Sequence, residues 1–324
     1  MTETSDHLYE NLAFEGGGVR GYAYAGAIKQ LDDMDYLKNF KRFSGTSVGA
    51  LFASMLACDF SADQILAAKD RLDFSSFSPS FSLRSLYCVW DYYGMNCTDE
   101  LKKQFCEILK DKVDPEITMK ELFKLTGKEL VIVTCCLSRK KPVYLHHACF
   151  PNVKLVDAMI ASVSVPYIFQ PSTFDWLGSN DYYVDGGIVD NYPIWVYNDI
   201  ESLYNGDLHT VDKDYISPQT LGLKLLCKGE KNDSEVFNDR KDLNNLTRFS
   251  SALLNTLMLQ IERSDISPTY IMQTVSIKTG TISFIDFKID SDKIDELVKN
   301  GHIGVCLFFS EKQKQRRWEF VKQN

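Results

Sequence analysis

The chain has 324 residues, of which 44% are apolar and 25% charged. That mix excludes a disordered chain, a collagen-like fibre and a simple coiled coil. Thirty-six basic against 44 acidic residues leave a net charge of −8, so no bulk positive field exists to hold a nucleic acid backbone.

Leu12 to Phe14 reads as a short buried strand, followed by the turn Glu15-Gly16-Gly17-Gly18-Val19-Arg20-Gly21. Tyr24, Ile28 and Leu31 then share one helix face. A second strand, about Lys41 to Ser44, runs into Gly45-Thr46-Ser47-Val48-Gly49 and an apolar helix reaching Cys58. Strand, turn and helix twice over within the first sixty residues predict a mostly parallel α/β sheet. Capping boxes at Ser61/Gln64 and Thr118/Glu121 mark later helix starts, and Gly127 closes the second. Glu129 to Cys136 is the best central strand, with Pro142 to His147 as its partner, and Val153 to Val163 is helical. Asp181 to Asp185 is a strand ending in Gly186-Gly187. Thr220 to Cys227 and Tyr270 to Lys278 are further strands, separated by a helix of about Leu243 to Arg263. Ser291 to Asn300 is the last helix.

The polar stretch Asn205 to Ser217 reads as a surface loop, and neither it nor Ser75 to Leu86 is a domain linker. The expectation is one domain over 1–324, its core about 10–310, with an aromatic-rich insertion about 74–95 and a basic tail over 311–324. The insertion reads as a lid or lipid-facing patch, or as a packed cover over the sheet. The tail reads as a solvated helix end or as a contact for an anionic membrane surface.

The nine cysteines are scattered and form no CxxC pair, and only five histidines occur. A zinc cage needs spaced thiolates or imidazoles, so no metal is expected, and scattered thiols fit a reducing compartment. The longest mostly apolar run, Val48 to Cys58, falls short of the about 20 residues that span a bilayer. With a polar, acidic Met1 to Asp6, a cytoplasmic protein that meets membranes from the water is expected.

Gly45-Thr46-Ser47-Val48-Gly49 is a G-x-S-x-G pattern. It suits a tight strand-to-helix turn that lifts a serine hydroxyl off the sheet, with glycines relieving the crowding. Five-residue matches also arise as plain turns, but here a strand precedes and an apolar helix follows. The run Gly16-Gly17-Gly18 lets backbone N–H groups converge on an anion such as an oxyanion. With Gly21 it also fits G-x-G-x-x-G, but no acidic residue ends the second strand to bind a ribose. Asp185-Gly186-Gly187 delivers a carboxylate to a crowded site, or is a tight hairpin. Together the three form an esterase set that needs no histidine. A serine–acid–histidine order through Ser47, Asp199 and His209 or His302 exists, but neither histidine has the context of a catalytic loop.

On these three motifs, and on the Ala161-Ser162-Val163-Ser164-Val165-Pro166 segment between them, the chain resembles the patatin-like phospholipases. The resemblance covers roughly 10–310 and implies a three-layer α/β/α fold with a mostly parallel central sheet. It implies calcium-independent hydrolysis of fatty-acyl esters in phospholipids or related glycerolipids, without cofactor, through an acyl-enzyme and with transient membrane-surface contact. Ser47 takes the nucleophile's place and Asp185 the base's, with Gly45 and Gly49 at the elbow and Gly186 and Gly187 behind the base. Gly17 and Gly18 become oxyanion donors, helped by Val19, in an oxyanion-hole block that also takes in Gly16 and Arg20. Arg20 attracts a lipid phosphate or braces the loop. Glu15 departs from the short residue usual before the glycines. A broad esterase or lysophospholipase, or a non-catalytic lipid-binding protein on the same fold, are the alternatives. A free carboxylate has a pKa of about 3.9, too low for a good base, so burial of Asp185 would have to raise it.

Overall fold

The computed structural model describes residues 9–77, 83–174, 180–227, 252–253, 256 and 268–323. The sheet runs in the order β10 (Thr274–Lys278), β9 (Thr220–Leu226), β1 (Asn11–Phe14), β2 (Arg42–Thr46), β4 (Glu129–Cys136), β8 (Asp181–Asp185) and β7 (Ser172–Phe174). Its first five strands are mutually parallel. β8 and β7 add antiparallel, and β5 (Lys141–Leu145) forms an antiparallel hairpin on β4. A separate parallel ribbon joins β3 (Gly94–Asn96) to β6 (Tyr167–Phe169).

The parallel strands are buried on both faces, and alternation assigns their residues to two cores. Leu12, Phe14, Leu130 and Ile132 pack into the larger one, with α1 (Ala23–Asp33), α2 (Val48–Ala57) and α7 (Leu155–Val163). Ala13 and Val131, one step out of phase, face Tyr192, Ile194, Trp195 and Val196 on the other side, next to α8 (Ile200–Asn205). Every residue of α2 is buried, as an all-round apolar helix requires. The result is the expected mixed α/β architecture, a mostly parallel sheet flanked by helices.

The capping boxes hold as drawn, on α3 (Ala62–Ala68) and α6 (Met119–Thr126), with Gly127 left-handed at the end of α6. Several boundaries differ. Tyr270 belongs to the short helix α9 (Pro268–Met272), and the strand begins only at Thr274. The last helix, α10, runs over Ser291–Gln323, well past Asn300, and takes in most of the basic tail. His146 and His147 lie beyond the end of β5. α4 (Leu83–Tyr92) and α5 (Asp99–Leu109) are helices the motifs did not mark, although Leu101, Phe105 and Ile108 bury one periodic face of α5. The helix expected over Leu243 to Arg263 lies outside the described residues. All nine cysteines are free thiols. Among the described residues no helix is long and apolar enough to cross a membrane.

Candidate active site at the carboxyl ends of the parallel strands

Ser47 stands between β2 and α2 with φ 55° and ψ −129°, a conformation that costs a non-glycine residue of order 1–3 kcal/mol. The two elbow glycines make room for it. A Cβ on Gly45 would sit 2.4 Å from the Gly49 carbonyl oxygen, and one on Gly49 would sit 2.6 Å from those of Phe14 and Glu15. Ser47 is buried at the amino end of α2, where the helix dipole favours negative charge.

The sheet register brings Asp185 to this serine. On β4, Val133 faces Thr46 and the next residue, Thr134, faces Asp185. Since β5 occupies the other edge of β4 over these residues, β8 takes up the edge where β2 stops. The carboxylate therefore arrives where the chain leaves β2 for Ser47. Asp185 is 2% exposed. Its Oδ1 accepts the Gly187 amide at 2.7 Å, and its Oδ2 is buried without a hydrogen bond of ordinary geometry. Burial pushes its pKa from 3.8 up to about 6, against the opposing pull of the Ser47 hydroxyl and the Gly187 amide.

The segment after α7 fixes both residues. Ser162 Oγ accepts the Ser47 amide at 2.8 Å and donates to the Val133 carbonyl at 2.6 Å. The Asp185 amide donates to the Ser164 carbonyl at 2.9 Å, while Ser164 Oγ turns back to Ile160. These roles were not assigned from sequence, although the Ala161 to Pro166 segment was noticed there. Asp190 and Asn191 were missed altogether. Thr46 Oγ1 donates to the Asp190 carbonyl at 2.8 Å, and the Gly16 amide donates to that of Asn191 at 2.9 Å.

The glycine run lies against the serine, since a Cβ on Gly16 would be 3.2 Å from the Ser47 Cβ. Not all of its amides face the site. The Gly16 amide is spent on Asn191, that of Val19 on the Phe284 carbonyl and that of Arg20 on the Gly17 carbonyl. These three are therefore not open donors, and the helper role expected of Val19 is corrected. The Gly17 and Gly18 amides have no backbone acceptor among the described residues. Gly18 has φ 54°. Arg20 is buried and its Nε donates to the Gly17 carbonyl at 3.3 Å, which braces the loop. Glu15 is wholly buried and clasps Lys224 and the Leu225 amide, tying the end of β1 to β9.

Gly17, Gly18, Ser47 and Asp185 share the wall of a cleft otherwise lined by apolar side chains, Phe74, Phe169 and Phe287 among them. Among the described residues no histidine lines it. Asp199 caps α8 instead, and His209 and His302 are exposed. His146 and His147 converge on Glu129, the first residue of β4, at the opposite end of the sheet. The Ala148 amide donates to His146 Nδ1 at 3.2 Å. His146 Nε2 faces Glu129 at 2.9 Å.

A family model described as patatin-like phospholipase matches residues 12–196. An uncharacterized protein of Acanthamoeba polyphaga mimivirus is 30% identical over 300 residues, covering 92% of each chain. A protein named "Probable lipid hydrolase", from Invertebrate iridescent virus 6, is 24% identical over 64% of this chain and 68% of its own. Triacylglycerol lipase 4 of Saccharomyces cerevisiae is 28% identical over 56% of this chain but only 22% of its own. Among solved structures, VipD from Legionella pneumophila superposes with a TM-score of 0.58 at 15% identity, over 94% of this chain and 67% of that one. That last likeness is one of fold.

Proposed function

The chain belongs to the patatin-like phospholipase family, and from that premise we propose that it is a lipid hydrolase cleaving fatty-acyl esters of phospholipids or related glycerolipids through Ser47 and Asp185. The observation that carries this reading is the meeting of a strained, buried Ser47 with a buried Asp185 of raised pKa at the wall of an apolar cleft. Relatives named as a lipid hydrolase and a triacylglycerol lipase support the substrate class.

In this mechanism the acyl chain lies along the apolar wall, excluded from water. Ser47 Oγ attacks the ester carbonyl carbon while the Asp185 carboxylate takes the hydroxyl proton. The carbonyl oxygen becomes an oxyanion held by the Gly17 and Gly18 amides, each worth on the order of 3–4 kcal/mol. Collapse of this intermediate breaks the ester C–O bond, and the leaving alcohol takes the proton from Asp185. Water then attacks the acyl-serine, again giving its proton to Asp185. The fatty acid leaves, and the serine recovers its proton. A carboxylate with a pKa near 6 is a better base than a free one and is still charged at neutral pH.

Release of fatty acid from mixed phospholipid vesicles, with chelator present, tests the reading. Activity in the wild type that is lost in both Ser47→Ala and Asp185→Asn is the expected result. Activity that survives in Ser47→Ala rejects the dyad. A folded wild type that binds lipid without cleaving it supports the lipid-binding alternative.

A further inference from the structure

The rim beside the cleft carries a set of exposed amphipathic aromatics. Trp90 is 83% exposed, and Tyr87 and Tyr92 on the same helix α4 are more than half exposed. Tyr93 follows at φ 62° and Tyr167 opens β6 at φ 67°, both exposed. Their strands form the ribbon β3–β6, whose far residue Phe169 lines the cleft. Tyr93 meets exposed Tyr182 edge to face at 5.8 Å. Tyr182 in turn is fastened to the tip of the β4–β5 hairpin, accepting the Leu137 amide at 2.8 Å and donating its own amide to Ser138 at 3.0 Å. That tip stands at the carboxyl end of β4, the same end of the sheet as Ser47.

The hairpin tip supplies charge. Arg139 pairs with Asp181, but Lys140 and Lys141 are exposed and have no acidic partner among the described residues. In a chain of net charge −8, a local pair of unopposed lysines beside exposed Leu137 complements an anionic surface. Asp91 on α4, which engages Tyr87, and the paired Asp181 are acids on the aromatic side, and Asp99 and Glu100 follow β3. Among the described residues the exposed rings here are Tyr or Trp, the residues whose apolar body and polar tip suit the level of lipid headgroups.

We propose that α4, the β3–β6 ribbon and the tip of the β4–β5 hairpin form the face on which the protein rests on an anionic phospholipid bilayer. Trp90 and the tyrosines enter the headgroup layer, Lys140 and Lys141 meet lipid phosphates, and the cleft opens beside them. This rests on the lipid-hydrolase reading and adds the surface through which substrate arrives.

Cosedimentation with vesicles of phosphatidylcholine, with and without added phosphatidylserine to give an anionic surface, tests it. Hydrolysis of a water-soluble short-chain ester is measured in parallel. The wild type is expected to prefer the anionic vesicles, and Trp90 emission to shift to the blue on binding. Lys140→Glu with Lys141→Glu should weaken partition roughly 30-fold or more, and Tyr87→Ala with Trp90→Ala roughly tenfold. Both variants should cleave the soluble ester like the wild type. Wild-type partition in both variants overturns the proposal. So does a wild-type dimer that Tyr87→Ala with Trp90→Ala dissociates, because the face is then covered by a second copy. Vesicle binding without any ester cleavage leaves the docking face standing and rejects the hydrolase reading.

Discussion

Ser162 holds Ser47 by its backbone. One hydroxyl accepts the Ser47 amide at 2.8 Å and donates to the Val133 carbonyl at 2.6 Å, so the elbow is fastened to the central strand. The left-handed conformation of Ser47 thus has a named support outside its own turn.

Ser162→Ala removes that support and leaves the Ser47 amide without its partner. Stability should fall by about 1–3 kcal/mol. If Ser47 is the nucleophile as proposed, its displacement with the cleft kept should lower kcat about 10- to 100-fold with KM little changed. The pH midpoint of activity should stay in place, since Asp185 is untouched. Steady-state kinetics across a pH series check this, and an unaltered kcat would remove Ser162 from the positioning role.

As the proposed base Asp185 must be charged to accept a proton, and burial raises its pKa to about 6. Activity should therefore be low at pH 5 and rise to a plateau above about pH 7. A profile flat from pH 5 to 8 would contradict the assignment.

The same shift bears on stability. A folded-state pKa raised from 3.8 to about 6 means that the fold favours the neutral carboxyl. Its contribution is present at low pH and is lost as pH rises through about 6. Asp185→Asn mimics the neutral form, so it should be inactive yet more stable than the wild type at pH 8, by about 2–3 kcal/mol. The gap should close near pH 4. Denaturant unfolding at the two pH values measures it.

Wholly buried Glu15 clasps partly buried Lys224 and the Leu225 amide. Glu15→Ala removes the carboxylate from Lys224 and leaves the buried Leu225 amide without its acceptor, at a cost of about 1–3 kcal/mol. Glu15→Gln keeps an acceptor for the amide and should cost less. Urea midpoints rank the two, and equal losses would mean that the charge is irrelevant there.

Gly18 combines φ 54° with contact so close that a Cβ would lie 1.9 Å from the Phe284 carbonyl oxygen. Gly18→Ala must move the loop and its amide. A loss in kcat on the order of 100-fold is expected from one displaced oxyanion donor. Retained activity would mean that the oxyanion is held elsewhere.

Much of the fold was legible because its signals are local. The capping boxes at Ser61 and Thr118, the glycines of both turns and the apolar run of β4 each encode their own conformation within a few residues. The misses follow the same logic. The strand expected from Tyr270 opens as helix α9, a boundary that local propensity does not mark. Short strands such as β3 and β6 exist only through their pairing with each other. Asp190 holds the site through its backbone carbonyl, which carries no side-chain signature, and Asn191 grips Gly16 from a distant segment, its carbonyl accepting the Gly16 amide and its Nδ2 donating to the Gly16 carbonyl at 3.2 Å.

By itself the sequence determined which residues are able to serve the site: a serine between glycines, an acid before two more and a glycine loop ahead of both. Turn chemistry is written residue by residue, so these remain readable without any fold. Tertiary structure alone decided that Asp185 enters where β2 stops, because that placement is a matter of register along β4, set by the burial of whole strands. It also decided that the Gly16 and Val19 amides are consumed, since the carbonyls of Asn191 and Phe284 that accept them arrive from distant segments.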